Sequence, residues 1–403
     1  MNEALDTPVI VSAARTPVGR YLGGLSPMGA TRLGAVAVRS ALERSGIPAG
    51  ELDEVILGHV LQGGTGQAPA RQAAMGAGVD PSVPALTVNK VCGSGLKAVM
   101  LAAQAIRAGD ARAIVAGGFE SMSNAPHYLH GLRSGVKFGD STLEDGLIHD
   151  GLWCSFGNCH MGGHAEYTAH RAGISRAEAD AFALESHRRA VAAMDEGRFE
   201  REIVPVTIEG RRGSTTVEMD EGPRRDTDLE SLGRLRPAFA DQAPAEVEEP
   251  IVTAGNSPGL NDGAAALVVT SRRFAKAHGL SVMAEITGYA SGGTAPRDLF
   301  FAPIEAVGRL MERTGASIDD YDLVELNEAF AVQAIADIRG LGLDPDRVNV
   351  NGGAVALGHP IGCSGARVLV TLLHAMEFRG AETGLATLCL GGGNAVALSV
   401  RRA

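Results

Sequence analysis

Four residues stand in short turns at the ends of strand-like runs or ahead of helices, and each is of a type that can attack an electrophile, move a proton or hold a developing charge. Cys92 lies in NKVCGSGLKAVM, Asn89 to Met100. The residues before it, Ala85 to Val91, are apolar and β-branched in mixture. After it, Leu96, Val99, Met100, Ala103 and Ile106 recur at the spacing of an amphipathic helix. The thiol is therefore expected just ahead of a helix N-terminus, where unpaired N–H groups favour an anion and lower its pKa toward the nucleophilic thiolate. A buried structural cysteine fits the same window.

His359 precedes a proline in NGGAVALGHPIGCSGAR, Asn351 to Arg367. A histidine titrates near neutrality and can take a proton from a thiol, although a core histidine satisfied by backbone is the plainer alternative. Cys389 ends a strand-like run in LCLGGGNA, where small residues let the N–H of Gly391 approach a ligand closely. Asn327 opens NEAF, Asn327 to Phe330; its amide can orient a water or an oxyanion, or cap the helix beginning AFAVQAI.

The elements that position these residues occur twice. Leu42-Glu43-Arg44-Ser45-Gly46 resembles Met311-Glu312-Arg313-Thr314-Gly315, and each leads through an aspartate, Asp53 or Asp322, into a strand-like run. Gly58 and Asn327 then occupy equivalent places. Farther on, Ser94-Gly95 and Ser364-Gly365 each open an apolar-periodic helix that ends near Gly109 or Gly380, and strands follow both. Alternating strands and helices predict α/β layers, with ligand chemistry in the loops at strand ends. Between the copies, Ser121 to Pro250 breaks the pattern. It carries the only tryptophan, Trp153, and the helix-like ISRAEADAFALESHRRAVAAM, and is expected to cover the site.

At 403 residues the chain exceeds what one core usually organises, so several domains or a duplicated one are expected. The 53 glycines follow no period of three, which excludes a collagen-like chain. A net charge of −11 argues against nucleic acid or an anionic membrane as partner. Eight arginines between Arg198 and Arg236 share that interval with nine acidic residues, an ion-paired surface that leaves room for a phosphate-bearing ligand. The opening MNEALDTPVI has no basic segment followed by a hydrophobic core, and no apolar run is expected to reach spanning length. Five cysteines, an odd number, favour free thiols, and the expectation is a soluble, cytoplasmic protein.

Taken together, VNKVCGSGLKA, NEAFA, NGGAVALGHPIGCSGAR and CLGGG, in this order, resemble the motifs of the thiolase family, acetyl-CoA acetyltransferases and 3-ketoacyl-CoA thiolases. AGGFESMSNAPH, DGLW, HMGGHAE, RLRPAF and TAGNSPGLNDGAAA extend the resemblance over essentially the whole chain. It implies an α/β, thiolase-like duplicated fold: two similar mixed sheets with helices in layers (αβαβα), plus an inserted loop domain. The halves would comprise residues 1–121 with 254–281, and 282–403; residues 122–253 would form the loop domain that binds coenzyme A. Cys92 would be acylated, with His359 as its base, and Cys389 would exchange the α-proton. Asn327, through a water, and His359 would hold the enolate oxygen; the N–H groups of Cys92 and Gly391 would hold the other oxygen. Leu152, His160, Met161, Arg224, Ser231, Pro258, Leu299 and Phe330 would contact coenzyme A or substrate. Acyl-CoA and CoA are then substrates, no metal or other cofactor is implied, and a homodimer or homotetramer is expected.

Some positions depart from the family pattern. Pro258 stands where a serine is common, Asn394 replaces a methionine, His164 replaces a threonine, and Leu299, Phe300 and Phe301 stand where Met-Gly is usual. These leave the catalytic types intact and open the question of acyl specificity. Three alternatives remain at this point. A ketoacyl-synthase-like condensing enzyme would have a second histidine in place of Cys389. A metal site could draw on Cys154, Cys159, His160, His164 and His170. A non-catalytic acyl-CoA-binding scaffold is the third.

Overall fold

The residues from Pro8 to Arg15, PVIVSAAR, form a strand buried along its whole length, as expected where both faces of a sheet are covered. The computed structural model describes residues 6–211 and 213–403. The first five residues of the MNEALDTPVI stretch and Arg212 of the arginine-rich interval lie outside the described residues.

The duplication is visible as mirrored strand order. Outward from a central seam, one half runs Pro8–Arg15, Asn261–Ser271, Ala113–Ser121, Glu54–Gly58, Ala85–Val88. The other runs Ala284–Gly293, Asn394–Arg402, Thr383–Leu390, Leu323–Leu326. A parallel bridge between Val324 and Val348 stands where a fifth strand would complete the second half. The expectation of two sheets needs one amendment. At the seam Val9 pairs with Glu285 and Ile10 with Ala284, and this narrow contact joins the halves into one ten-stranded sheet, counting Gly19–Arg20 at its margin.

Helices alternate with the sheet halves. Ala30–Ser45 and Pro69–Ala77 cover the outer face of the first half, Ala302–Thr314 lies outside the second, and Ser94–Ala108 and Ile361–Arg379 fill the space between. Contrary to the expectation that no apolar run reaches spanning length, Ile361–Arg379 is long and apolar enough to cross a membrane. Sixteen of its nineteen residues are buried within the protein, which makes it the central core helix. The two central helices cross at their equivalent glycines. A Cβ on Gly95 would come within 2.6 Å of the Ala366 nitrogen, and one on Gly365 within 2.4 Å of the Leu96 nitrogen. No side chain fits there, so the backbones touch and the two helix starts are brought side by side.

The intervening region carries the helices Met161–Ala172 and Arg176–Asp195; Ser175 and Glu178 form a capping box at the start of the second. It is anchored to the first strand by a buried ionic cluster. Arg15 Nε lies 2.6 Å from Glu202, and its two terminal nitrogens reach Asp220 at 2.7 and 2.9 Å. Burial works against the guanidinium charge, but Asp220 and Glu202 outweigh it and raise the pKa.

Candidate active site

Cys92 sits on a tight turn between the strand Ala85–Val88 and the helix Ser94–Ala108. Val91 before it has φ +47°, a left-handed conformation that a β-branched residue adopts only under constraint. After it, a Cβ on Gly93 would fall 2.3 Å from Leu390 Cδ2. The missing side chain lets this turn press against the end of Thr383–Leu390, the strand that carries Cys389.

Cys92, His359, Cys389 and Gly391 line one cavity of about 610 Å³, a size suited to a small organic ligand. Leu152, His160, Met161, Arg224, Pro258, Leu299 and Phe330 line it too. Two expected residues do not. Ser231 is exposed, and its hydroxyl and N–H form a capping box with Asp228 at the start of Leu229–Gly233. Asn327 is fully buried off the cavity wall, with neither side-chain atom hydrogen-bonded. It does not cap the following helix either: Phe330 holds the N-cap position of Ala331–Leu341, without a side-chain bond.

The hydrogen bonds of His359 fix its proton. Its backbone N–H donates to Asn261 Oδ1 at 2.9 Å, and its Nδ1 lies 2.6 Å from Ser364 Oγ. Ser364 Oγ also donates to the Pro360 carbonyl at 2.9 Å. A hydroxyl has one proton and a carbonyl can only accept, so Ser364 must accept from Nδ1–H. Nε2 is then the basic nitrogen, and it is buried without a partner. Burial, helped by Arg367, lowers the imidazole pKa to about 3, so the ring rests neutral with the Nε2 lone pair free.

The expected lowering of the Cys92 pKa is not found. Burial pushes the thiol up to about 12; the N–H groups of Cys92 and Gly391 favour the thiolate but do not offset the lost hydration, and Glu120 adds to the rise. The cavity wall therefore presents a thiol and a neutral imidazole, and the thiolate must form as the proton leaves. Cys389 is also raised, by burial first and then by Cys92, which lines the same cavity.

Several contributors were missed in the sequence. Glu120 accepts from the backbone N–H groups of Val60, Leu61 and Gly362 at 3.1, 3.3 and 3.0 Å, and lies 2.8 Å from His59 Nδ1. It thus pins the start of Ile361–Arg379 two residues after His359–Pro360. Phe239, within the RLRPAF segment, stacks on His160 at 4.7 Å and meets Phe330 edge-on at 6.1 Å. Phe300, one of the departures from the family pattern, lies edge-on to Phe330 at 5.4 Å, and both line the cavity with Leu299. Arg224 also borders a groove of about 540 Å³ with Arg188, Arg189 and Arg225.

The metal-site alternative does not assemble. His160 Nδ1 accepts from Gly162 N at 3.0 Å, His170 is exposed, and Cys159 Sγ lies 3.5 Å from His164 Nε2. Among the described residues no three such groups converge.

Residues 8–273 match the thiolase N-terminal domain family and residues 280–402 the thiolase C-terminal domain family. The acetyl-CoA acetyltransferase of Pseudomonas aeruginosa is 52% identical over 395 residues, 98% of this chain and 99% of that protein. That of Cupriavidus necator is likewise 52% identical over 395 residues, with the same coverage. The crystal structure of the Bacillus anthracis acetyl-CoA acetyltransferase superposes with a TM-score of 0.96 at 40% identity, covering 100% of both chains.

Proposed function

This chain belongs to the thiolase family of acyltransferases, and we propose that it acts as an acetyl-CoA C-acetyltransferase, making or cleaving short 3-ketoacyl-CoA. The observation that carries this reading is the shared cavity wall of Cys92, His359, Cys389 and Gly391.

Cys92 Sγ attacks the thioester carbonyl of acetyl-CoA while His359 Nε2 takes the thiol proton. The tetrahedral oxygen forms against the N–H groups of Cys92 and Gly391, which already favour negative charge at the sulfur. CoA leaves as its thiol with the proton from His359, and the acyl group stays on Cys92. Cys389, held as a thiol by burial, passes its proton to His359 Nε2, which is neutral again once CoA has left. A second acyl-CoA then gives its α-proton to the Cys389 thiolate; the thioester makes that proton acidic enough. The carbanion attacks the acyl-Cys92 carbonyl, the carbon–carbon bond forms, and Cys92 leaves as a thiolate that takes back the proton from His359. Thiolysis is the same path reversed. The unpaired amide of Asn327 suits a water that would hold the enolate oxygen together with His359.

Arg224, which lines both the cavity and the groove bordered by Arg188, Arg189 and Arg225, suits the phosphates of CoA. Phe300, Phe330 and Leu299 favour short acyl chains. These steps call for no metal or redox cofactor, CoA itself being a substrate. We further assign the enzyme to fatty acid metabolism in the cytoplasm, where free thiols persist, as a homodimer or homotetramer.

The deciding experiment is covalent labelling by radiolabelled acetyl-CoA. Wild type should hold one acyl group and Cys92→Ala none; label retained on that variant would end the assignment. Thiolysis of acetoacetyl-CoA separates an enzyme from a silent acyl-CoA-binding scaffold.

A further inference from the structure

Two cysteines that acyl transfer leaves unused face each other beside the cavity. The hairpin formed by Trp153–Cys154 and Cys159–His160 pairs Cys154 directly with Cys159 across an antiparallel ladder. Residues opposed in this way point to one face, with Cα atoms about 4.5–5.5 Å apart, inside the span that a disulfide bridges. Both are free thiols, Cys154 buried and Cys159 partly exposed. The Gly157 N–H donates to Cys154 Sγ at 3.3 Å, and Cys159 Sγ lies 3.5 Å from His164 Nε2. One thiol is thus within reach of solvent and beside a base, and the other waits opposite it.

We propose that Cys154 and Cys159 form an oxidisable pair that closes to a disulfide when the protein meets a peroxide, with His164 accepting the Cys159 proton. The Cys159 thiolate attacks one oxygen of hydrogen peroxide; the O–O bond breaks, hydroxide leaves and takes up the proton from His164 as water, and the sulfur becomes a sulfenic acid. The Cys154 sulfur then attacks Cys159 Sγ, the S–OH bond breaks, and a second water departs. Two thiols are oxidised and one peroxide is reduced to two waters.

The bond matters because of where the hairpin sits. Its flanks supply Leu152 and His160 to the cavity wall, and Phe156 at its tip lies against Gly392, next to Gly391. Closure ties these two stretches of wall together without touching Cys92 or Cys389.

Peptide mapping of the full-length protein tests this independently of any acyl-transfer activity. After brief hydrogen peroxide treatment at neutral pH, unfolding and alkylation, the tryptic peptide Phe138–Arg171 contains only these two cysteines. It should lose two hydrogens and take no alkyl label, and dithiothreitol should restore two labels. In Cys154→Ala, dimedone should trap Cys159 as the sulfenic acid. In His164→Asn, closure at pH 7 should slow by about tenfold or more, the loss expected for a missing general base. Full alkylation of both cysteines after peroxide, or passage of Cys159 to sulfinic acid with Cys154 still free, would overturn the proposal; an unchanged rate in His164→Asn would remove the histidine from it.

Discussion

Ser364 Oγ lies 2.6 Å from His359 Nδ1 and gives its own proton to the Pro360 carbonyl. The imidazole is thereby held in the tautomer whose free nitrogen is Nε2. Ser364 is a positioning residue, and Ser364→Ala should slow acylation of Cys92 by about a hundredfold, within the range ascribed to general base catalysis. The KM for acyl-CoA should stay unchanged, because the hydroxyl is buried behind the ring. Single-turnover labelling at saturating acetyl-CoA measures the rate; a change confined to KM would contradict the role.

Cys389→Ala should separate the half-reactions. Its sulfur is not needed for acylation, so the variant should label with acetyl-CoA at near the wild-type rate. Exchange of the acyl α-hydrogens with deuterated water, followed by mass spectrometry, should fall to background together with carbon–carbon bond formation. Loss of labelling as well would merge the roles assigned to the two thiols.

The glycine crossing sets a third expectation. Gly365→Ala forces a Cβ to within 2.4 Å of the Leu96 backbone nitrogen, and backbone cannot swing away as a side-chain tip can. The variant should lose about 1–3 kcal/mol or more by overpacking, read as a lowered urea midpoint. The surface substitution Gly308→Ala, where a Cβ meets nothing within 4 Å, serves as control and should hold or gain stability.

Two buried histidines make stability depend on pH. His187, whose Nδ1 accepts the Arg224 N–H at 3.1 Å, is held down to about 4 by burial, then by Arg224 and Arg20. His359 is lowered further, to about 3. Below pH ~6.5 the unfolded chain takes up protons that the folded chain refuses, so stability falls as pH drops from there toward the folded values. His187→Gln should flatten part of this slope between pH 4.5 and 6.5, measured as denaturation midpoints across the interval.

Much of this arrangement could be read from residue order. The repeat of Ser94-Gly95 in Ser364-Gly365 predicted two equivalent helices, and both begin there or within three residues of it. The strand ends bearing Cys92, Asn327 and Cys389 followed from alternating apolar runs and glycine clusters. Electrostatics was less legible. A helix start favours a thiolate, but how much water the turn loses depends on Leu390, Gly391 and the rest of the wall, which are distant in sequence from Cys92. Ser231 illustrates a second limit: a serine three residues after an aspartate can cap its own helix, and only coordinates decide whether it faces a ligand. Glu120 and Phe239 act across 242 and 79 residues of chain, to Gly362 and His160, and no local pattern marks such partners.

Matching Ser94-Gly95 to Ser364-Gly365 sets Gly362 opposite Cys92. At Gly362 a Cβ would lie 2.7 Å from the Phe119 carbonyl oxygen and 2.8 Å from Glu120 Oε2. The twin of the nucleophile's seat is thus sealed by the very carboxylate that steadies its helix. The likeness of the two parts stops here: one helix start leaves room for a sulfur at the cavity wall, and its counterpart is packed against a carbonyl and a carboxylate.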